Sequence, residues 1–469
     1  MNTQFDLDFV VKSTEGTLLH QGPLSFTGIG TDTRKDLEGQ LFIALKGENF
    51  DAHDFLSAAL DAGATGLLVT HLPEDLAARA QKVSVVKVDD TLTALQRLAH
   101  TWRMRSKARF IAITGSNGKT TTKGFCDTIL SQNYKTVSSH GSFNNHWGVP
   151  LTLLTVKPDT EMAVVEMGMN HAGELTTLAR IAKPDVAIVT TVGRSHIGYF
   201  GSEEKIAQAK EELYLESPKA VHVFNLDNSY TREMWERQKS KPGSGGIKTF
   251  SSFKSDADVH MRVIRTGMDH IEVSGHIGNV PGAATVPVFG RQNVVNLMAA
   301  SALALSVGMP PEEIWKALPK CRTGWGRNQV IQLPSGASVL FDAYNANPES
   351  MAALIKNIFE IPSRRLKVMV LGEMLELGDQ AEVLHEQLGE MVGNTDVDLI
   401  WFIGPSKEAF KRGIERGDFK KSLYLSNTYE EVLALKIGSM IDSQDIIVVK
   451  GSRGLKLERV LRAWGAEDL

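Results

Sequence analysis

Two patterns of apolar residues alternate along this chain. Short unbroken runs of strand length are bounded by Gly, Asn, Asp or Pro, and between them apolar residues recur every three to four positions. The first pattern marks strands buried on both faces and the second marks helices that cover them. Their alternation predicts parallel sheets sandwiched by helices.

The pattern divides the chain into three regions. In residues 1–107, GQLFIAL and GLLVT read as strands and HDFLSAALDAGA as a helix between them. TLTALQRLAHTWRMR then reads as a long amphipathic helix with Leu92, Leu95, Leu98 and Trp102 on its apolar side. In residues 108–318, ARFIAIT, EMAVVEMG, DVAIVTTVG and AVHVFNLD are successive strand-like runs. EMWERQKSKPGSGG breaks the pattern and reads as an exposed loop; ADVHMRVIRTGMDHIEVSGHI reads as paired strands turning at GMDH; QNVVNLMAASALALSVG reads as a mostly buried helix. In residues 319–469, ASVLFDAY, LKVMVLGEM, DLIWFIG and DIIVVKGS predict a second open parallel α/β domain.

Composition narrows the picture modestly. At 469 residues the chain has room for two or three domains, and 42% hydrophobic with 23% charged residues is an ordinary globular mixture. A net charge of −4 argues against a surface built to bind nucleic acid. Cys126 and Cys321 are the only cysteines, too few for a disulfide scaffold or a cysteine-rich metal site. MNTQFDLDF lacks the basic-then-apolar order of a signal peptide, and no apolar run reaches membrane-spanning length, so a cytoplasmic location is expected.

The strongest local chemistry is IAITGSNGKTTTK at residues 111–123. A buried strand, a turn with two glycines and a helix start make a nest of backbone N–H groups suited to phosphate. Gly115, Ser116, Asn117, Gly118, Lys119, Thr120 and Thr121 form a short TGxxGKT variant of the Walker A loop, with Ile113 where the longer form has glycine. Lys119 is placed to reach a phosphate and Thr120 to hold Mg²⁺; the structural alternative is an ordinary strand–turn–helix junction. Glu166 and His171 follow one strand-like run and His196 another, positions suited to oxygen and imidazole ligands or to loop capping. Asn293 in GRQNVVN offers a donor and an acceptor to an adenine edge, or caps the helix after it. Arg327 in WGRNQ, with Asp342, Tyr344, Asn345 and Asn347 in LFDAYNANPESM, supplies groups for ribose, phosphate or substrate, or a turn into the helix beginning at Pro348. HExxH and GxSxG are absent.

Read together and in order, TDTRKDLEGQLFIALKGENFDAHDF, ITGSNGKTTTK, NNHWGVPLTLL, VVEMGMNH, GRSHIGYFGSEEKIAQAKEE, GRQNVVN, FDAYNANPESM and VKGSRGLKLE resemble the Mur ligase superfamily over nearly the whole chain. The last two segments favour the branch that adds D-alanyl-D-alanine. The resemblance implies a three-domain α/β architecture: a UDP-precursor recognition domain (1–107), a central P-loop ATP-binding domain (108–318) and a C-terminal Rossmann-like domain (319–469). It implies ATP and Mg²⁺ as cofactors, and UDP-N-acetylmuramoyl-tripeptide and D-alanyl-D-alanine as substrates. A monomer is implied, able to associate with other cell-wall synthesis proteins. Another Mur-type amino-acid or folate ligase is the nearest alternative, and a P-loop ATPase switch a more distant one.

By the same resemblance, Thr31, Asp32, Thr33, Arg34, Asn49, Phe50 and His53 belong to UDP-precursor recognition. Lys119 and Thr120 serve phosphate and Mg²⁺, and Glu166 and His196 serve the metal. Asn293, Arg327 and Asp342 are nucleotide contacts, while Asn144, Asn145, Tyr344, Asn345 and Asn347 lie near the peptide or reaction centre. Where the branch often has GDM, this chain has GEM with Glu373. Lys210 in SEEKIAQAKEELYLES sits on the apolar stripe of Ile206 and Leu213. Snorkelling, or pairing with Glu203, Glu204 or Glu211, is its structural alternative; the resemblance implies N-carboxylation, making Lys210 a carbamate ligand beside Mg²⁺.

Overall fold

The computed structural model describes residues 5–47, 50–240, 245–359 and 365–466. Two compact units emerge: Met1–Ile113 with Asn133–Ala187 and Glu212–Ala220, and Thr114–Gln132 with Ile188–Glu211 and Val221–Leu469.

In the first unit, strands β1 (Phe5–Asp6) and β3 (Ser25–Phe26) pair antiparallel. Strands β2 (Thr17–His20), β4 (Ile29–Gly30), β5 (Leu41–Ile43), β6 (Gly66–Val69) and β7 (Ser84–Lys87) form a five-stranded sheet in the order β2-β7-β6-β5-β4. Only the β2–β7 pairing is antiparallel. The same unit holds β8 (Arg109–Thr114) as far as Ile113, β9 (Thr136–Ser138) and β10 (Met162–Glu166), with β10 parallel to both neighbours. The helix Thr91–Arg105 forms as its periodicity predicts, capped by Asp90, and buries Ala94, Leu95, Leu98 and Ala99. Near its end the Arg103 guanidinium donates to Ala182 O and Lys183 O, both at 2.8 Å, and lies 3.8 Å above the Phe110 ring. Those carbonyls end the helix Glu174–Ala182, so a buried cation sits where the helix dipole favours one.

The second unit takes in the end of β11 (Val186–Val189) and the strands β12 (Val221–Asn225), β13 (Ile247–Ser251), β14 (Val259–Thr266), β15 (Ile271–Ile277) and β16 (Val280–Val286). The β12–β13–β14 run is parallel, and β14–β15–β16 is an antiparallel meander whose first turn is the expected GMDH. The helix Asn293–Ser306 is mostly buried, as its apolar composition requires. A six-stranded sheet follows: β17 (Gln329–Gln332), β18 (Ser338–Asp342), β19 (Lys367–Gly372), β20 (Leu399–Ile403), β21 (Ser422–Ser426) and β22 (Ile446–Lys450), ordered β17-β18-β22-β19-β20-β21. All of its pairings are parallel except β17–β18. Phe341, Val370, Trp401 and Val449 fill its core. Cys126 and Cys321 are both buried, and burial pushes both thiols up, Cys321 to about 12. No helix among the described residues is long and apolar enough to cross a membrane.

One expected loop is a helix. The start of EMWERQKSKPGSGG continues the helix Ser229–Gln238, and residues 241–244 lie outside the described set. Asn228 starts this helix by accepting from Thr231 N at 3.2 Å, and Met234 anchors it by burial. Its buried face is short, so the polar run and downstream Pro-Gly masked its period.

The longer carboxylate in GEM acquires a defined task. Glu373 is 4% exposed; its Oε2 accepts from Ser406 N at 3.0 Å and its Oε1 from Ser406 Oγ at 2.5 Å. Ser406 is the residue that starts the helix Lys407–Arg416, so Glu373 supplies the acceptor that this start needs. Glu373→Ala would leave the half-buried Ser406 N–H without its acceptor, at a cost of about 1–3 kcal/mol. Hydrogen exchange over residues 404–416 is expected to quicken by roughly tenfold or more, since ~1.4 kcal/mol is tenfold in an opening equilibrium. Unchanged exchange there would remove the capping role.

Candidate active site

The phosphate-loop geometry begins where β8 ends. The chain turns through Gly115 at φ +147° and Gly118 at φ +83°, then enters the helix Lys119–Leu130. Side chains are excluded at both turns: a Cβ on Gly115 would collide with Thr190 Oγ1, and one on Gly118 with Asn296 Oδ1. The turn is fastened to the segment after β11. Thr190 N donates to Thr114 O at 2.9 Å and Ser116 N to Thr191 O at 2.8 Å. Thr190 Oγ1 donates to Asn117 O at 2.6 Å, and Asn117 N donates to Thr191 Oγ1 at 3.2 Å. Lys119 Nζ donates to Gly115 O at 2.7 Å, so the amine rests across the mouth of the loop. This is a cradle of backbone donors at a helix start with a lysine over it, which fits a polyphosphate.

Lys210 lies on the helix Glu203–Leu215 and is 1% exposed, between fully buried Ile206 and Leu213. The three carboxylates that offered a pairing are engaged elsewhere. Glu203 accepts from Arg194 Nε at 2.9 Å, Glu204 from Tyr230 Oη at 2.9 Å, and Glu211 from Arg237 Nη2 at 2.8 Å. Burial first, and then the positive charge of Lys119, push the Lys210 amine well below its usual range. His196 is held at φ +66°, with Nδ1 2.8 Å from Oε2 of Glu376, itself at φ +64°. Such conformations cost ~1–2 kcal/mol each in residues with a Cβ, and they concentrate at functional sites. The His196 imidazole holds the Glu376 carboxyl below its usual range against the effect of burial, and Lys119 contributes. Lys119, Lys210, His196 and Glu376 are therefore electrostatically connected within one unit.

In the first unit, Glu166 closes β10, is 1% exposed, and its Oε1 accepts from Asn144 Nδ2 at 2.8 Å. Asn145 Oδ1 accepts at 2.9 Å from the N–H of Gly148, the first residue of the helix Gly148–Leu154. His171 is exposed and lies 3.3 Å from Glu174. A cavity of about 530 Å³ is lined by Thr31 and Asp32, together with Lys35, His140 and Phe143, which sequence reading did not single out. Thr33 and Arg34 do not line it. Arg34 instead forks onto Asp32 at 2.8 and 2.9 Å, holding that carboxyl down at about 2. His53 is buried between Asp51 Oδ1 at 2.6 Å and Thr70 N at 2.9 Å. Phe50 is exposed, and Asn49 lies outside the described residues.

The remaining expected residues lie in the second unit. Asn293 is buried; its amide donates to Phe289 O at 2.7 Å and its Oδ1 accepts from Asn296 Nδ2 at 2.9 Å. Asn296, in turn, backs Gly118 and accepts from Thr122 Oγ1 at 3.3 Å. The Arg327 guanidinium lies 4.2 Å above the Tyr344 ring. Asp342 accepts from Asn328 N at 3.0 Å and from buried Lys450, whose Nζ also donates to Asn345 O at 3.1 Å. Asn347 is 4% exposed and donates to both Asn117 and Ser195. Lys450 had a sequence signal in VKGSR; Asn296, Ser195 and Glu376 had none of their own.

Among the described residues, no group of three or more His, Cys, Asp or Glu side chains converges as a preformed metal cage. Mg²⁺ seldom needs one, because one or two carboxylates and the substrate's phosphates complete its shell. In the second unit the hydroxyl of Thr120 is a donor of that kind, and in the first unit Glu166 offers a buried carboxylate; each suits the ion's preference for oxygen.

Comparison with known proteins agrees with this geometry. Residues 25–103 match the Mur ligase family catalytic domain, 113–304 the Mur ligase middle domain, and 326–453 the Mur ligase glutamate ligase domain. The chain is 36% identical over 453 residues to the UDP-N-acetylmuramoyl-tripeptide–D-alanyl-D-alanine ligase of Bacillus subtilis, covering 96% of this chain and 93% of the relative. It is 34% identical to the enzyme of that name from Escherichia coli, covering 95% of each. Among solved structures, MurF from Acinetobacter baumannii superposes with a TM-score of 0.87 at 30% identity, over 98% of this chain and 99% of that one.

The loop geometry generates a direct test. Gly115→Ala would drive a methyl group into Thr190 and strain the turn, so ATP affinity is expected to fall by about a hundredfold or more. Calorimetric titration with ATP, with circular dichroism as the fold control, measures it; affinity within threefold of wild type would contradict the steric account.

Proposed function

The chain belongs to the Mur ligase family, and from that membership we infer that it is the ATP-dependent ligase that joins D-alanyl-D-alanine to UDP-N-acetylmuramoyl-tripeptide, forming the pentapeptide precursor of peptidoglycan. The observation that carries this reading is 36% identity across 96% of the chain to a ligase of that name.

A carboxylate resists attack by an amine, so it must first be activated. The terminal carboxylate of the tripeptide attacks the γ-phosphorus of ATP, giving an acyl phosphate and ADP. The amine of D-alanyl-D-alanine then attacks the acyl carbon, the new C–N bond forms, and phosphate leaves with the C–O bonding pair. Lys119 and the backbone donors of its loop hold the phosphates and offset the charge that develops on transfer. By the family resemblance, Thr120, Glu166 and His196 would hold Mg²⁺, and the ion would supply charge neutralisation at the phosphoryl oxygens. Thr31 and Asp32 receive the UDP end of the precursor in the cavity they line, a role supported by its size and its mixed polar and aromatic wall.

Lys210 acts as an N-carboxylysine. Its buried amine is held toward the neutral form, which is the form that attacks CO₂; the N–C bond forms and the amine gives up a proton. The resulting carbamate is an anion, which the Lys119 charge attracts, whereas that same charge disfavours a protonated Lys210 amine. This accounts for an amine sealed in an apolar stripe while the carboxylates beside it in sequence pair elsewhere.

Phosphate release from ATP is expected only when both the UDP-tripeptide and D-alanyl-D-alanine are present, with a product whose mass is their sum less one water. Release without the dipeptide would contradict the reading. Lys119→Ala is expected to lower turnover by about a thousandfold with the fold intact. For Lys210, ¹³CO₂ labelling is expected to yield a carbamate carbon signal that disappears in Lys210→Ala; a wild-type protein without that signal would remove the modification.

A further inference from the structure

We propose that Asn347 is a positioning residue that ties the shape of the phosphate loop to the turn after β18, through Asn117 and Ser195. The proposal rests on the reading of residues 115–121 as the ATP phosphate cradle.

Asn347 has two amide hydrogens, and both are used inside the protein. One goes to Asn117 Oδ1 at 2.8 Å and the other to Ser195 Oγ at 2.6 Å. Its own Oδ1 accepts from Ser350 N at 2.9 Å, which caps the helix Pro348–Phe359. At 4% exposure, with both hydrogens and the oxygen engaged, this side chain has no donor left for a substrate. Its partners belong to the phosphate site itself. Asn117 lies between the two loop glycines, with its N–H and its C=O already bound to Thr191 and Thr190. Ser195 Oγ donates to Ser116 O at 3.1 Å, and Ser116 Oγ is 3.0 Å from the Gly193 N–H that donates to it. Ser195 is also the immediate neighbour of His196. The Asn347 amide thus grips two segments of the site that are distant in sequence, and the Asn117 side chain points at Asn347.

The consequence concerns order. A phosphate cradle works when its N–H groups are already aimed, because then binding does not have to arrange them. With Asn347 seated, the Asn117 turn and the Ser195–His196 turn hold one arrangement. With it withdrawn, Asn117 Oδ1 and Ser195 Oγ lose a shared donor, and the loop samples others. Seating of Asn347 therefore raises phosphate affinity, and bound phosphate favours that seating to the same degree.

The test is a double-mutant cycle. Asn347→Ser keeps a good helix cap but is too short to reach Asn117. Asn117→Ser removes the acceptor from the loop side. Asn117→Ser is expected to weaken ADP binding by about tenfold, the worth of one well-placed hydrogen bond, and Asn347→Ser, which also gives up the bond to Ser195, by at least as much. Each is also expected to raise KM for ATP more than it lowers kcat. The double variant is expected to match Asn347→Ser rather than the product of both, because Asn347→Ser already removes the bond that Asn117→Ser breaks. Multiplicative losses in the double variant would overturn the proposal. So would a lower melting temperature with unchanged ADP affinity in Asn347→Ser, which is the signature of a purely structural cap. Failure of the underlying reading is distinguishable, since the wild-type protein itself would then bind no ADP.

Discussion

Everything in the second unit's site depends on how little space lies between Gly115 and Thr190. The threonine hydroxyl occupies the volume that any other residue at 115 would need, and it donates to the loop carbonyl of Asn117. One contact therefore both demands glycine and bends the turn. The tie continues along the strand ends: Asn225 Nδ2 donates to Thr190 O, and Asn228 brackets Val192 by accepting from its N–H and donating to its carbonyl. Loops that follow β8, β11 and β12 are thereby held as one polar layer. Backbone groups at strand ends would otherwise be unsatisfied, so this layer serves hydrogen-bond accounting as well as binding.

The same unit holds an expensive object, the buried amine of Lys210. An ammonium in an apolar stripe with a second cation nearby is among the least favourable placements available to a lysine. The chain holds it there while assigning Glu203, Glu204 and Glu211 to Arg194, Tyr230 and Arg237. A structural lysine would gain from any of those carboxylates. The arrangement instead favours an uncharged amine, which is a nucleophile.

Much of this was legible in the sequence, and the boundary is physical. The phosphate loop was readable because glycine, lysine and threonine requirements are local. The burial of Lys210 followed from spacing to Ile206 and Leu213 on one helix. Strands such as β8 and β19 announced themselves as unbroken apolar runs. The helix Ser229–Gln238 was missed because its buried face is short. Partnerships between distant residues carried no such signal: Asn347 and Asn117 are 230 positions apart, and nothing about an asparagine says which carbonyl it will meet. Glu373 falls between these cases. The altered motif flagged a longer reach, but only the fold supplied Ser406 as what it reaches.

The two buried cysteines have a practical consequence for anyone wishing to watch this protein work. Cys126 and Cys321 are sealed from solvent and their thiols are held protonated by burial, so the folded chain presents no thiolate to a maleimide. A cysteine introduced on an exposed position, such as Val432 at 83% exposure, would be the sole rapid target for a fluorophore or spin label without first removing the native pair. Any slow labelling that then appeared at Cys126 or Cys321 would itself clock the opening of the core around them.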